Sequence, residues 1–529
     1  MTHAEKRSRA KGQGAGPRVA GKPVVLDPKQ DRLALMVEDG YRHYQSGDLE
    51  SANAIWRSVL DEDLEHPGAL HGMGVLARDM ERYEVSVELM RRALLRDPFS
   101  PAIHSNLGTA LEQWGRYDAA VTVYKAGIKL SPNDWILHNN LGSCYARMGR
   151  RILAIQAFQK AIRFGGDTAE LLTNYVATLA DTGDFEKAEP FFKRALEVDP
   201  APSALQFAYG AQLQKQGRWK EGWHYYERRF LKSNWGVRPR YFPQPFWDGV
   251  AAQDRSLLVW GEQGIGDEIR FASMIPDVIA GGAHVTIECA PKLASLFARS
   301  FPGAKVELAP FTSAETGDTD FDAQAPFGSL GRIYRSKATD FPRRLGYLVP
   351  DPARTGAFKQ ELSAMALGLK VGICWRSGLL GAFRNDYYTT VRELGPMLKV
   401  PGVTFINLQY DVRDDEIKEA RSRFGVGVRQ IEGLNLKDDL DGAAALAANL
   451  DLVVSAATSV SCMAGALGVP TLEFRPTPVA DGFLIDGHCP WFASLRYVDK
   501  KAGDPWSTVF RKIASELKAL ASQNRDLAR

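Results

Sequence analysis

Few cysteines, no long apolar run and almost no net charge set the first limits on this chain. The five cysteines, Cys144, Cys289, Cys374, Cys462 and Cys489, are scattered with no C-x-x-C pair. That pattern indicates neither a disulfide framework nor a structural zinc site, and it reads as reduced thiols with no metal. No stretch approaches the roughly eighteen consecutive apolar residues of a membrane helix, and the N-terminus lacks a signal-peptide core. No membrane span and a cytoplasmic location are therefore expected. The formal charge is only +3, with basic residues spread out, so nucleic acid is not an expected partner.

What is present is length and periodicity. A chain of 529 residues is too long for one hydrophobic core, and 45% hydrophobic with 24% charged residues is ordinary for a globular protein. Residues 1–32 carry Lys6, Arg7, Arg9 and Lys11 with few large apolar side chains, and read as a disordered tail. From 33 to 236 a 34-residue period follows. Gly40, Gly74, Gly108, Gly142 and Gly210 keep one register, with Val176 in its gap. Gly47, Gly115, Gly149, Gly183 and Gly217 keep a second, with Glu81 in its gap.

The third copy shows the logic. Gly108 and Ala120 are small enough to bring two helices together, Tyr117 and Tyr124 fill the space beside them, and Pro132 stops the second helix. Six such copies resemble the tetratricopeptide (TPR) family, an α-solenoid with a concave face. Asn106, Asn140 and Asn174, spaced by 34, are expected to line that face, where amides suit the backbone of a bound protein acceptor. Asparagine is also a common residue at that position of the repeat.

A connector rich in proline and aromatics, 237–253, leads to a region where apolar runs alternate with helical segments. SLLVW at 256–260, HVTIECA at 284–290, KVGICW at 370–375, TFINLQY at 404–410, LDLVVSA at 450–456 and PTLEFR at 470–475 read as buried parallel strands of an α/β region. Two Rossmann-like halves are expected, 254–365 and 366–529. Ligands of such sheets bind beyond the carboxyl ends of the strands. Two loops fit that place.

In the first, Gly264 and Gly266 permit close backbone approach, and Asp267 brings a carboxylate that either takes a proton from an acceptor hydroxyl or caps the next helix. In the second, Thr458 and Ser459 open a helix whose free N–H groups suit a diphosphate, unless they serve only as caps. Arg376 and Arg384 follow the 370–375 strand and either neutralise phosphate or stand solvated at the surface.

WGEQGIGDEIRFASMIP, KVGICWRSG, INLQY and LDLVVSAATSVSCMAGALGVP, in this order, resemble the heptosyltransferase-like glycosyltransferases fused to TPR arrays in bacteria. The resemblance implies a GT-B fold, with the acceptor on the N-terminal half and a nucleotide-sugar on the C-terminal half. It implies Asp267 as general base, Thr458 and Ser459 at the diphosphate, Arg384 as the basic residue there and Gln409 near the nucleotide. No metal or other cofactor is implied, the nucleotide-sugar being the substrate. Relatives carry an aspartate and a histidine where this chain has Ala457 and Cys462. Tyr387 and Tyr388 also replace a more usual arginine-serine pair.

Two explanations of these departures stand. A different donor, such as an acidic nonulosonic acid read by Tyr387, Arg376 and Arg384, makes the chain a protein O-glycosyltransferase, with flagellin the leading acceptor candidate because some repeat-fused enzymes of this type modify it. A half that no longer catalyses makes the chain a TPR adaptor.

Overall fold

The computed structural model describes residues 27–166, 168–180, 184–198, 203–231, 240, 242–250, 254–308, 321–365, 368–378, 387–476, 484–485, 488–501 and 503–527. Most of the expected tail and Arg384 lie outside the described residues. Residues 28–32 are helical rather than disordered, because Asp27 accepts the Lys29 N–H at 3.0 Å and Pro28 occupies the first helical position.

Twelve helices realise the period: α1 (Pro28–Gln45), α2 (Leu49–Glu62), α3 (Pro67–Asp79), α4 (Tyr83–Arg96), α5 (Pro101–Gln113), α6 (Tyr117–Leu130), α7 (Trp135–Arg147), α8 (Arg151–Arg163), α9 (Ala169–Ala180), α10 (Phe185–Val198), α11 (Ser203–Lys215) and α12 (Trp219–Tyr226). The chain divides into two compact units, Met1–Cys144 and Tyr145–Arg529. This division does not fall at the connector expected over 237–253.

Within the first unit, the glycine of the first register is required by contact. A Cβ on Gly108 would sit 2.3 Å from the Tyr124 ring, and one on Gly40 2.4 Å from the Trp56 indole nitrogen. These two hairpins thus close on a large aromatic from the second helix, Trp56 and Tyr124, both fully buried, while a Cβ on Gly74 would meet Met90 at 2.8 Å. The second register has a different cause. Gly47, Gly115, Gly149 and Gly217 all have positive φ, as the left-handed turn between the two helices of a hairpin demands, and Glu81 holds the same strained conformation at φ 59°.

In the second unit, α12 is part of the α/β core. Trp219, Trp223 and Tyr226 are buried together with Phe271, Phe327 and Phe341. A Cβ on Gly331 would meet the Trp223 ring at 2.3 Å. Immediately after α12, Arg229 is wholly buried and pairs through two hydrogen bonds of 2.9 Å with Glu262, which in turn accepts the Gly328 N–H at 2.9 Å. The last hairpin is therefore locked to the first sheet. The described part of the connector is pinned as well. Trp247 is buried, and its N–H donates to the Gln324 carbonyl at 2.8 Å. Phe246, by contrast, stays half exposed.

Two parallel sheets follow. The first has the order β3-β2-β1-β4, from β1 (Ser256–Trp260), β2 (His284–Cys289), β3 (Ala304–Leu308) and β4 (Ala323–Pro326). The second has the order β6-β5-β7-β8-β9, from β5 (Leu369–Cys374), β6 (Val403–Asn407), β7 (Leu452–Ala456), β8 (Thr471–Pro476) and β9 (Leu495–Lys500). The C-terminal helix Trp506–Leu527 covers one face of the second sheet, placing Phe510, Ile513 and Leu517 on Leu472 and Phe474. The halves do not change at 365 as expected. Helix Pro352–Ser363 already belongs to the second sheet, with Leu362 buried among Cys374, Ile406 and Val453 and with Arg354 paired to Asp439.

Candidate functional site

The loop after β1 enters helix α13 (Ile265–Ala272) through Gly264, whose carbonyl accepts the N–H groups of Asp267 at 2.9 Å and Glu268 at 3.0 Å. Asp267 is the third helical residue, where a carboxylate complements the positive end of the helix dipole. It is half-buried and lines a cavity of ≈ 180 Å³ with Gln214 and Lys215 of α11, Trp223, Arg270 and Trp491. The Asp267 cavity is thus walled by the last repeat as well as by both halves. A Cβ on Gly264 would meet nothing within 4 Å, and its φ is −77°. Neither crowding nor backbone strain requires glycine there.

Two carboxylates of this segment were not anticipated from sequence. Glu262 holds Arg229, as described above. Glu268 is buried, accepts the Ala290 N–H at 2.9 Å and lies against Gly261, where a Cβ would come within 2.5 Å of its oxygen. Burial pushes its carboxyl up to about 7. Helical spacing contained the signal, since Ile265, Glu268, Ile269 and Ala272 share one face of α13.

The second loop leaves β7 and opens the helix Ser459–Ala466. Thr458 caps it, its hydroxyl accepting the Val460 N–H at 3.2 Å, while Ser461 Oγ bonds back to the Thr458 carbonyl at 2.9 Å and to Glu473 at 2.6 Å. Ser459 meets the first loop: its Cα lies 3.5 Å from where a Cβ on Gly266 would be, with the Cys462 sulfur at 3.7 Å. The loops after β1 and β7 therefore converge on one place. Cys462 is buried beneath that contact, and burial pushes its thiol up to about 12. A neutral thiol in this packing is not a polar group offered to a ligand.

Around β5 the expectations change most. Arg376 is neither solvated nor free for phosphate. Its guanidinium donates to Glu416 at 2.8 and 3.2 Å, to the Asp411 carbonyl at 3.1 Å and to the Asp411 carboxylate. Gln409 is fully buried and ties the loops after β5 and β6 together, accepting the N–H groups of Trp375 and Arg376 at 3.0 Å each and donating to the Arg376 carbonyl at 2.9 Å. Both residues brace the loop. Tyr387 is half-buried, and Tyr388 packs on the core of the second sheet.

In the first unit, the expected amide ladder is engaged in contacts between hairpins. Asn106 accepts from Arg78 at 3.1 Å and bonds His71 at 2.9 Å, while His71 bonds Tyr41 at 2.9 Å. Asn140 donates to Ser105 at 3.1 Å. Asn174 belongs to the second unit and is half-buried.

The chain carries TPR repeats: tetratricopeptide-repeat family models match residues 71–134 and 135–201. Among characterised proteins, the chain is similar to Protein FlbA of Caulobacter vibrioides, with 33% identity over 363 residues, covering 65% of this chain and 60% of that protein. The match thus spans less than two thirds of FlbA. Solved structures with similarity include PilF of Pseudomonas aeruginosa, at 16% identity and TM-score 0.36, covering 39% of this chain and 93% of that one. A TPR protein of Thermus thermophilus follows, at 22% identity and TM-score 0.30, covering 35% and 99%. No helix among the described residues is long and apolar enough to cross a membrane.

Proposed function

We propose that this chain is a cytoplasmic, metal-independent protein O-glycosyltransferase that moves a sugar from a nucleotide-sugar to a Ser or Thr hydroxyl of a protein acceptor, with flagellin the first acceptor to test. The observation that carries the reading is the convergence of Gly264, Gly266 and Asp267 with the start of helix Ser459–Ala466, beside a cavity bounded by α11. In this reading Asp267 accepts the proton of the acceptor hydroxyl, the hydroxyl oxygen attacks the anomeric carbon, and the bond from that carbon to the nucleotide's phosphate breaks, the nucleotide leaving with the bonding pair. The positive end of the Ser459–Ala466 helix stabilises the departing nucleotide phosphate. Gly264 supports the reading further, because a glycine with open space at its Cβ and an ordinary φ is the choice for a backbone that a ligand must approach closely. The test is Asp267→Asn in cells, read by intact-mass analysis of flagellar proteins. Loss of the sugar mass is expected, and an unchanged mass removes Asp267 from the mechanism.

One set of observations favours a second reading, a TPR adaptor with a non-catalytic α/β region. Arg376 is spent on Asp411 and Glu416, Cys462 is packed away, and the Gly266 loop lies directly on Ser459. Calorimetry of the full chain against UDP, GDP, CDP and CMP separates the two: the transferase binds at least one of them, and the adaptor binds none.

A further inference from the structure

At the far end of α13 from Asp267 there is a second constellation. Asp277 is shared by two guanidiniums: Arg335 donates to its Oδ2 at 2.7 Å and Arg344 to its Oδ1 at 2.6 Å. Each also reaches the Ser273 carbonyl at a weak 3.5 Å, and Arg335 donates to the Tyr334 carbonyl at 2.7 Å. Two guanidiniums thus share one carboxylate by direct contact. A second carboxylate, Asp340, accepts the Ser336 N–H and hydroxyl and the Lys337 N–H at 2.9 to 3.0 Å and acts on Arg335 through its charge. Burial first, and then the like charge of Arg344, hold the Arg335 guanidinium below its usual value.

Ser273, Arg335, Arg344, Tyr347 and Trp491 line a common cavity of ≈ 10 Å³. Ser273 is only 7% exposed, and its hydroxyl has no hydrogen-bond partner. Such an orphan is unfavourable unless something fills the place beside it. The volume is that of one water-sized group. Tyr347 does not supply the missing partner, because its hydroxyl donates to the Ile269 carbonyl.

We infer that this cavity is an oxyanion subsite that takes one oxygen of a ligand carboxylate. The Arg335 and Arg344 guanidiniums and the Ser273 hydroxyl are its donors. Trp491 lines both this cavity and the Asp267 cavity, so the two are neighbours. On the transferase reading, and only there, that ligand is an acidic sugar.

The probes are formate and formamide, which differ in charge and little in size, added to the full chain at matched ionic strength while the urea midpoint is followed. Formate should raise the midpoint saturably and formamide should not. Arg344→Gln should weaken the formate response about tenfold or more and Arg344→Lys should restore part of it; Arg344 is the more exposed of the two arginines, so these variants keep the fold. Ser273→Ala should weaken the response several-fold. Equal responses to both probes, or an unchanged response in Arg344→Gln, overturn the subsite. N-acetylneuraminate should then bind more tightly than its methyl ester, and equal binding overturns the acidic-sugar assignment. Asp267→Asn should leave the formate response intact, so failure of the transferase reading and failure of this subsite are told apart.

Discussion

Removing the Glu262 charge is expected to be the most damaging single change between the last hairpin and the first sheet. Arg229 and Glu262 are exposed to 0% and 1% at their side chains, and their two hydrogen bonds of 2.9 Å form a closed fork. Burial pushes the Glu262 carboxyl up against the pull of Arg229. On Arg229 burial works downward, but Glu262, Tyr226 and Glu227 outweigh it and raise the guanidinium. The pair is therefore stable only as a pair. Glu262→Gln leaves a buried guanidinium facing an amide, and breaking one partner of such a pair costs about 3 to 5 kcal/mol. Gln keeps one acceptor for the Gly328 N–H, and the Ser329 and Glu227 contacts of Arg229 remain, so the lower end applies.

With a urea slope of about 2 kcal/mol per M, a loss of about 3 kcal/mol lowers the midpoint by about 1.5 M. Equilibrium urea unfolding gives the midpoint, and hydrogen exchange over 321–335 reports the Gly328 amide directly. Arg229→Met combined with Glu262→Leu should recover most of the loss, because apolar replacement of a whole buried pair is close to neutral. A loss below about 1 kcal/mol in Glu262→Gln, or a double variant worse than the single, would refute the reasoning.

Other expectations follow from the same contacts. Glu268 titrates near 7 in the fold against about 4.3 in the unfolded chain, so the fold holds the proton more tightly and stability falls, by about 3 kcal/mol, as pH rises from about 4.5 to 7. The difference between Glu268→Gln and the parent in thermal denaturation should carry that slope, and parallel curves would remove it. His71 is the opposite case: burial first, then Arg78, hold it down to about 4, so its contribution is present above about 6.5 and is lost as pH falls towards 4. His71→Gln should flatten this acid limb, measured in the same way. Gly108→Ala forces a methyl onto the Tyr124 ring and should cost about 1 to 3 kcal/mol in urea unfolding.

The repeats were legible because their causes are local. Each glycine register answers one contact or one φ, so spacing alone places the hairpins. Strands β1, β2 and β5 to β8 were legible for a similar reason, as short apolar runs buried on both faces or nearly so. The misses have a physical pattern. β3 and β9 are edge strands, with the half-exposed stretches AKVEL and LRYVDK, and β4 has four residues ending in proline. None of them makes a run.

The site was legible by position and not by role. Gly264, Asp267, Thr458 and Ser459 lie where strand ends and helix starts converge, as strand order predicts. What Arg376 and Gln409 do could not be read, because their partners Asp411, Glu416 and the Trp375 N–H are remote in sequence and polar residue type alone does not distinguish a ligand contact from a brace.

Gly264 is where stability and function separate. At Gly108 the glycine has a structural cause, and replacing it is expected to damage folding whatever the protein does. At Gly264 a methyl group meets nothing within 4 Å and φ is −77°, so Gly264→Ala should shift the unfolding free energy by less than about 1 kcal/mol, the loss of a preferred helix-cap residue. If the loop receives a substrate, the same methyl group intrudes into the space that substrate needs, and sugar transfer to the acceptor should drop while the urea midpoint stays. If the loop receives nothing, both should stay. The pair of measurements therefore tests occupancy of the Asp267 loop without touching the carboxylate itself, and a variant that kept full transfer would leave the glycine without a cause and remove its support for a ligand at this loop.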